Sequence, residues 1–316
     1  MMTRMVMQRI GIGFATLIVV SIIVFIATSI LPGDVAQIVL GQSATPETLA
    51  ALRAELGLDQ PGYIRYFLWL GNMMTGDLGT SKAGGATIAS LIGGRLGNTL
   101  MMAGWVAVIS IPISIALGLW AAMHPGTWLD RIVTFGTLSL ISVPEFFIAT
   151  VAVLILAVEL HWLPSTAYMT GEETFWELMK ALAMPLITLV IVVSAQMIRM
   201  TRAGILNVMS SPYIEMAILK GVPRGRIILR HAFFNAIGPI INVIALNLAY
   251  LVSGVVIVET IFAYPGLAKL MIDGVQTRDL PLVQACAMIF CATYVVLILI
   301  ADVGSILSNP RLRNPK

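Results

Sequence analysis

Glu145 is the residue of this chain whose chemistry most needs explaining, because it follows Pro144 in the middle of a long apolar run, residues 132–158. An ionised carboxylate at bilayer depth costs several kcal/mol unless it faces protein or water. Proline removes an amide donor and leaves the carbonyl four residues earlier without its usual partner, which adds a polar feature at the same depth. Three roles are open for Glu145: lining a polar pathway, a hydrogen bond between packed helices, or a protonated spectator. Glu259 and Asp302 lie near the ends of apolar runs, where a structural role is the simpler one. Conventional catalytic patterns are missing. Gly79-Thr80-Ser81-Lys82-Ala83 departs from the nucleophile pattern G-x-S-x-G in its last residue. His124, His161 and His231 are too far apart to suggest a metal site. Cys286 and Cys291 fall about 140° apart around a helix and read as small buried hydrophobes rather than a pair. The sequence G-x-x-x-x-G-K-[ST] occurs nowhere, so the chain carries no P-loop of its own.

The elements that position these residues are membrane spans. Hydrophobic residues make up 58% of the chain and charged residues 11%, against about 25% charged in soluble domains. Six stretches have the roughly 20 mostly apolar residues that a span requires: 10–31, 100–123, 132–158, 181–199, 236–258 and 282–307. The first is too long for a secretory signal and lacks a small-x-small cleavage site, so it reads as a retained span. The positive-inside rule orients the set. Arg4, Arg9, Arg131, Arg199, Arg202, the loop basics and Arg311, Arg313 and Lys316 gather on one side, while Asp34, Glu47, Asp59, Asp77, Glu172 and Asp279 fall on the other. Both termini are therefore expected in the cytoplasm. The net charge of +3 reflects this asymmetry and does not suggest nucleic acid.

Between the first two spans lies the longest non-membrane piece. Thr45 as N-cap, Pro46 at the first position and Glu47 in the first turn predict a helix closing at Gly57. A second amphipathic run over 63–73 places Tyr63, Tyr66, Phe67 and Leu70 at helical spacing. These segments are too short for a separate globular domain and are expected to cap the extracytoplasmic mouth. Small residues recur along two spans: Ala103, Ala107, Ser110, Ser114 and Gly118 in the second, and Asn242, Ala245, Ala249 and Ser253 in the fifth. Such stripes allow close helix packing in lipid or line a polar path. Asn242 and Ser253 join Glu145 as pathway candidates.

The basic loop between the fourth and fifth spans is unlike an ordinary positive-inside loop. Residues 213–220 contain only two charges, Glu215 and Lys220, and their apolar groups go nearly all the way round a helix. A helix apolar on all faces is buried, so this one requires the bundle on one side and a second protein on the other. Gly221 ends it, and Pro223 is able to start the next short helix, which carries Arg224, Arg226 and Arg230.

This loop, with Ala217, Gly221 and Pro239 in register, resembles the cytoplasmic "EAA" loop of ABC importer permeases. Glu215 matches the first letter of that signature, and Met216 departs from the usual small residue. Nearly the whole chain is similar to the B-type permeases of the dipeptide, oligopeptide and nickel importer family. Leu31-Pro32-Gly33-Asp34, Thr45-Pro46-Glu47, Leu56-Gly57-Leu58-Asp59 and Gly76-Asp77-Leu78-Gly79 carry the likeness first. Ser142-Val143-Pro144-Glu145-Phe146, Trp162-Leu163-Pro164-Ser165, Glu259-Thr260-Ile261-Phe262, Tyr264-Pro265-Gly266, Arg278-Asp279-Leu280-Pro281 and Asn309-Pro310-Arg311-Leu312-Arg313 continue it in order. Glu145 is not universal in that family.

The resemblance implies an all-α polytopic protein with six transmembrane helices in the type I ABC importer permease fold. Residues 1–99 would be the first helix plus cap, and 100–316 a five-helix core with a cytoplasmic coupling loop at 202–235. It implies a non-catalytic subunit in the inner membrane, partnered by a homologous C-type permease, one or two ABC ATPases and an extracytoplasmic binding protein. ATP and Mg would be held by the ATPases and no cofactor by this chain. Tyr213, Ile214, Glu215, Ala217, Lys220, Gly221 and Arg224 would contact the ATPase. The expected cargo is a di- or oligopeptide; nickel complexes, glutathione, opines and oligosaccharides are alternatives within the family. A secondary transporter, needing no ATPase, is the alternative of another class, although no internal repeat of the kind common there is evident.

Overall fold

The computed structural model describes residues 2–30, 44–55, 59–169 and 172–308. The Leu31 to Asp34 block, Leu56 to Leu58 with the expected helix end at Gly57, and the Asn309 to Arg313 block lie outside the described residues. In chain order the helices are α1 (Met2–Ile30), α2 (Pro46–Glu55), α3 (Gly62–Met74), α4 (Ile88–Met123), α5 (Trp128–Ser142) and α6 (Glu145–Ala152). They continue with α7 (Phe175–Met209), α8 (Pro212–Leu219), α9 (Phe233–Ile261), α10 (Leu267–Gln276) and α11 (Leu280–Ser308). Wider π-helical turns extend α6 over Val153–Glu159 and lead into α9 over Ile227–Ala232. Among the described residues the only β feature is an isolated bridge between Thr80 and Thr87. The all-α polytopic expectation holds.

Among the described residues four helices are long and apolar enough to cross a membrane: Val6–Ile30, Ile88–Met123, Phe175–Met209 and Leu280–Ile300. Two bent pairs raise the number to six if each pair is one span. The third span is a correction. Residues 132–158 are not one helix, because Trp128–Ser142 and Glu145–Glu159 meet at 100°. The residue before a proline is pushed out of the α region, and Val143 and Pro144 are both extended, with ψ of 129° and 141°. The carbonyl expected to lose its partner, that of Leu140, accepts the Val143 N–H at 3.3 Å. The fifth span bends by 52° between Arg224–Gly238 and Ile240–Leu251, where Pro239 has no amide proton to give the helix.

The chain forms two compact units. One comprises Leu100–Tyr264 with both chain ends. Its apolar centre includes Met102, Leu182, Met184, Leu189, Met197, Val255 and Tyr264. α7 is the most buried of its helices and starts in a capping box, in which Thr174 and Glu177 satisfy each other's backbone amides. The small-residue stripe of α4 packs against α7. Ser114 Oγ lies 3.4 Å from the Ser194 carbonyl, and a Cβ on Gly118 would stand 2.7 Å from Thr201 Cβ and 3.1 Å from the Ile198 carbonyl. Overpacking of this kind costs about 1–3 kcal/mol. We therefore expect Gly118→Ala to lower the thermal midpoint in detergent and Gly118→Leu to abolish a monodisperse species. An unchanged midpoint for the Leu variant would contradict the close approach. In the same unit Arg9 meets Asp302 at 3.0 Å, the structural role anticipated for that acid.

The other unit comprises Gly11–Thr99 and Pro265–Val295. Phe25 of α1 packs on Tyr66 and Trp69 of α3, and Tyr66 Oη lies 2.8 Å from Ser21 Oγ. The amphipathic reading of α3 needs amending, since Tyr63 and Phe67 are exposed and Trp69 joins Tyr66 in the contact. Ser81 is structural. Its hydroxyl donates to the buried Asp279 carboxylate, whose other oxygen lies 3.4 Å from the Leu282 N–H at the start of α11. Thr99 Oγ1 accepts the Leu267 N–H at 2.8 Å, and Gln284 Nε2 donates to Thr28 Oγ1 at 2.6 Å.

Candidate functional site

Two places carry features that packing alone leaves unexplained, and both lie in the Leu100–Tyr264 unit. The first is built by the break at Pro144. Because the chain turns there, Glu145 occupies the first turn of a new helix rather than the middle of an old one. The Pro144 carbonyl accepts the Phe147 N–H at 3.0 Å and starts α6. Glu145 is 9% exposed, and its Oε2 accepts the Tyr250 hydroxyl at 2.9 Å across to α9. Its Oε1 is buried and has no hydrogen-bond partner among the described residues. A helix N-terminus favours a carboxylate in this position.

Glu145 opens on a cleft of about 350 Å³. Its polar walls are Gln196 of α7 and Asn247 and Tyr250 of α9, and its other walls are apolar. Asn247 Nδ2 donates to the Val243 carbonyl at 2.8 Å, and Arg199 donates to Gln196 Oε1 at 3.2 Å. No Lys, Arg or His is among the lining residues. Asn242 is exposed and does not line the cleft. Five residues along a helix turn it about 140° away from Asn247. The side chain of Ser253 lies outside the described residues. Gln196, Asn247 and Tyr250 were not singled out from the sequence. The only signal was that each is polar within an apolar run, with Asn247 and Tyr250 three apart on one helical face. Its lining offers a carboxylate, a phenol and two amides, with no nucleophile paired with a base among them.

The second place is α8 and its surroundings. Ser211 is extended and its carbonyl accepts the Ile214 N–H at 2.9 Å, with Pro212 in the first turn. The helix ends in a Schellman motif. Gly221, at φ +72°, donates to the Ile218 carbonyl at 2.9 Å, and Val222 donates to that of Ala217 at 3.2 Å. Pro223 is extended and leads into the single turn Arg224–Arg226. Ile214 is fully buried and anchors the helix, and Ala217 is half-buried. Tyr213, Met216, Ile218 and Leu219 are exposed, Leu219 by 75%. Glu215, Lys220, Gly221 and Arg224 are exposed beside them. A contiguous apolar patch with a polar rim marks an interaction surface. Above it, Arg202 of α7 grips Asp130 of α5 through two hydrogen bonds of 2.6 and 2.8 Å, and Asp130 also accepts the Gly126 N–H. Nothing in the sequence singled out Asp130. Only the fold reveals it as a buried clamp.

Long apolar helices, two of them bent pairs, with a short exposed apolar helix between them mark a polytopic membrane protein. The chain matches the family described as "Binding-protein-dependent transport system inner membrane component" over residues 114–314, and that family's N-terminal region over residues 2–104. It belongs to that family, the membrane permeases of binding-protein-dependent ABC importers. Among its relatives, one from Brucella melitensis is named as a peptide transport system permease protein and is 34% identical over 313 residues, 99% of each chain. A glutathione transport system permease protein of Escherichia coli K12 is 32% identical over 312 residues, again 99% of each. A Sinorhizobium fredii relative named for peptide ABC transport is 30% identical over 309 residues, 98% of each. The family resemblance drawn from the sequence blocks is borne out.

Proposed function

We propose that this chain forms, with a homologous C-type permease, the inner-membrane pathway of an importer for di- or oligopeptides. An extracytoplasmic binding protein delivers the cargo, and one or two ATPases below hold ATP and Mg. The end-to-end similarity to permeases named for peptide transport carries this reading. Glutathione is the favoured second cargo, on the strength of the Escherichia coli relative, and it is itself a tripeptide.

In this reading residues 1–99 supply the first helix and an extracytoplasmic cap, 100–316 the core, and 202–235 the coupling segment. Tyr213, Glu215, Ala217, Lys220, Gly221 and Arg224 sit at the ATPase contact, with the exposed apolar groups of α8 as its dry centre; Ile214, expected there from the sequence, is fully buried and anchors the helix from beneath. A short helix anchored by Ile214 and closed by Gly221 is a stiff lever, suited to transmitting ATPase closure to α7 and α9. Glu145 faces the pathway, and Asn242 and Ser253 remain candidates for it.

Two measurements test the proposal. The chain co-expressed with ATPases and a second permease should co-purify as a complex whose ATP hydrolysis rises when cargo-loaded binding protein is added. Uptake by this chain alone, driven by an ion gradient, would instead identify a secondary transporter. For orientation, single cysteines are introduced in a background lacking Cys286 and Cys291. Positions 59 and 172 should react with an impermeant reagent in intact cells, and position 224 only after lysis. Reaction at position 224 in intact cells would invert the topology.

A further inference from the structure

The half-engaged carboxylate of Glu145 points beyond the peptide reading, on which the following rests. A buried carboxylate is stable at membrane depth when donors, a proton or a cation meet its oxygens. Tyr250 meets Oε2, and no described residue meets Oε1. No cationic side chain lines the cleft, although Arg199 donates to the Gln196 oxygen at 3.2 Å, and the remaining polar walls are the amides of Gln196 and Asn247. The Asn247 bond to Val243 uses only the amide nitrogen, so it does not engage the carbonyl oxygen. The cleft thus combines one carboxylate with a phenol and two amides inside an otherwise apolar wall.

We infer that this cleft binds a protonated primary amine of the cargo, with Glu145 as the residue that sets this specificity. An ammonium group has three N–H donors and no acceptor. Glu145, whose Oε1 is buried and unmatched, and the Asn247 carbonyl are acceptors of the matching kind. A divalent metal fits less well, since hard cations draw six or more oxygen ligands, usually from several carboxylates, and this cleft has one. At about 350 Å³ it is near the small end of ligand sites. That is room for a terminal amine and its neighbouring residue rather than a whole oligopeptide. The α-amino group is common to peptides of any side-chain composition, so a pathway that grips it transports many sequences with one contact. Glutathione also carries a primary amine, so the inference does not depend on which peptide is carried.

Thiol labelling inside the cleft tests this without knowledge of the cargo. Asn247→Cys is made in a Cys286→Ala, Cys291→Ala background and the chain is purified in complex with its partner permease and ATPase. Its modification rates are measured with aminoethyl methanethiosulfonate, which carries a primary ammonium, and with the sulfonatoethyl reagent, which is anionic. Each rate is divided by that of a free thiol. The ammonium reagent should react at least about tenfold faster, as expected for a nearby unit charge in a partly dry site. Adding Glu145→Gln should bring the ratio close to one, while Tyr250→Phe should preserve it. Equal rates with Glu145 present, a ratio insensitive to Glu145→Gln, or no labelling by either reagent would overturn the inference. Failure of the importer reading is separate, because it would appear in the wild-type complex as ATP hydrolysis indifferent to the binding protein.

Discussion

Ala217→Arg and Gly221→Pro are each expected to abolish binding-protein-stimulated ATP hydrolysis while leaving the chain in the membrane. Ala217 is half-buried on the anchored side of α8, and its carbonyl takes the closing bond from Val222. An arginine there forces either a buried unpaired charge or displacement of the helix. Gly221 is held at φ +72° and donates to the Ile218 carbonyl. Proline adopts neither the angle nor the bond, at about 3 kcal/mol or more, which corresponds to roughly a hundredfold or greater loss of the correctly closed helix. The measurement is ATPase rate with cargo-loaded binding protein, beside the yield of each variant in purified membranes. A normal stimulated rate in both variants would remove α8 from the coupling route.

Glu145 carries the second large effect. Glu145→Gln keeps an acceptor for Tyr250, so assembly of the complex should equal wild type. Losing a charge-assisted contact costs about 1.5–3 kcal/mol, so uptake should fall by roughly ten- to a hundredfold. Glu145→Leu should also assemble, because Tyr250 is 45% exposed rather than buried, and uptake should fall at least as far. A purely structural carboxylate gives a different pattern, in which the Gln variant transports normally and the Leu variant loses complex yield and uptake in proportion. Wild-type uptake by a fully assembled Leu variant would show that the carboxylate has no part in the pathway.

The polar groups of the cleft show where sequence reasoning stopped. Glu145 was visible because a charge in an apolar run is costly wherever it lies. Its partners were not, because Gln196 is about 50 and Tyr250 about 100 residues further along the chain, and no local periodicity specifies which faces of α6, α7 and α9 meet. Asn242 stood out as the amide of a small-residue stripe; it is exposed, about 140° round α9 from Asn247, which lines the cleft. The buried clamp of Asp130 and Arg202 was hidden for the same reason. The loop fared better because its determinants are local. Gly221, Pro223 and Pro239 act within a few residues through left-handed φ, fixed φ and a missing donor, so the end of α8 and the turn after it could be read directly.

Sequence by itself determined that this is a membrane protein, how many apolar stretches it has and which family it belongs to, because hydropathy, charge bias and proline and glycine placement act along the chain. The tertiary structure decided that the third stretch is two helices at 100°. It also decided that Pro265–Val295 form one unit with Gly11–Thr99, and that Glu145 shares a cleft with Tyr250 and Asn247. Those outcomes depend on which helix faces bury against one another. That is a property of packing between distant segments, to which each segment's own periodicity is blind.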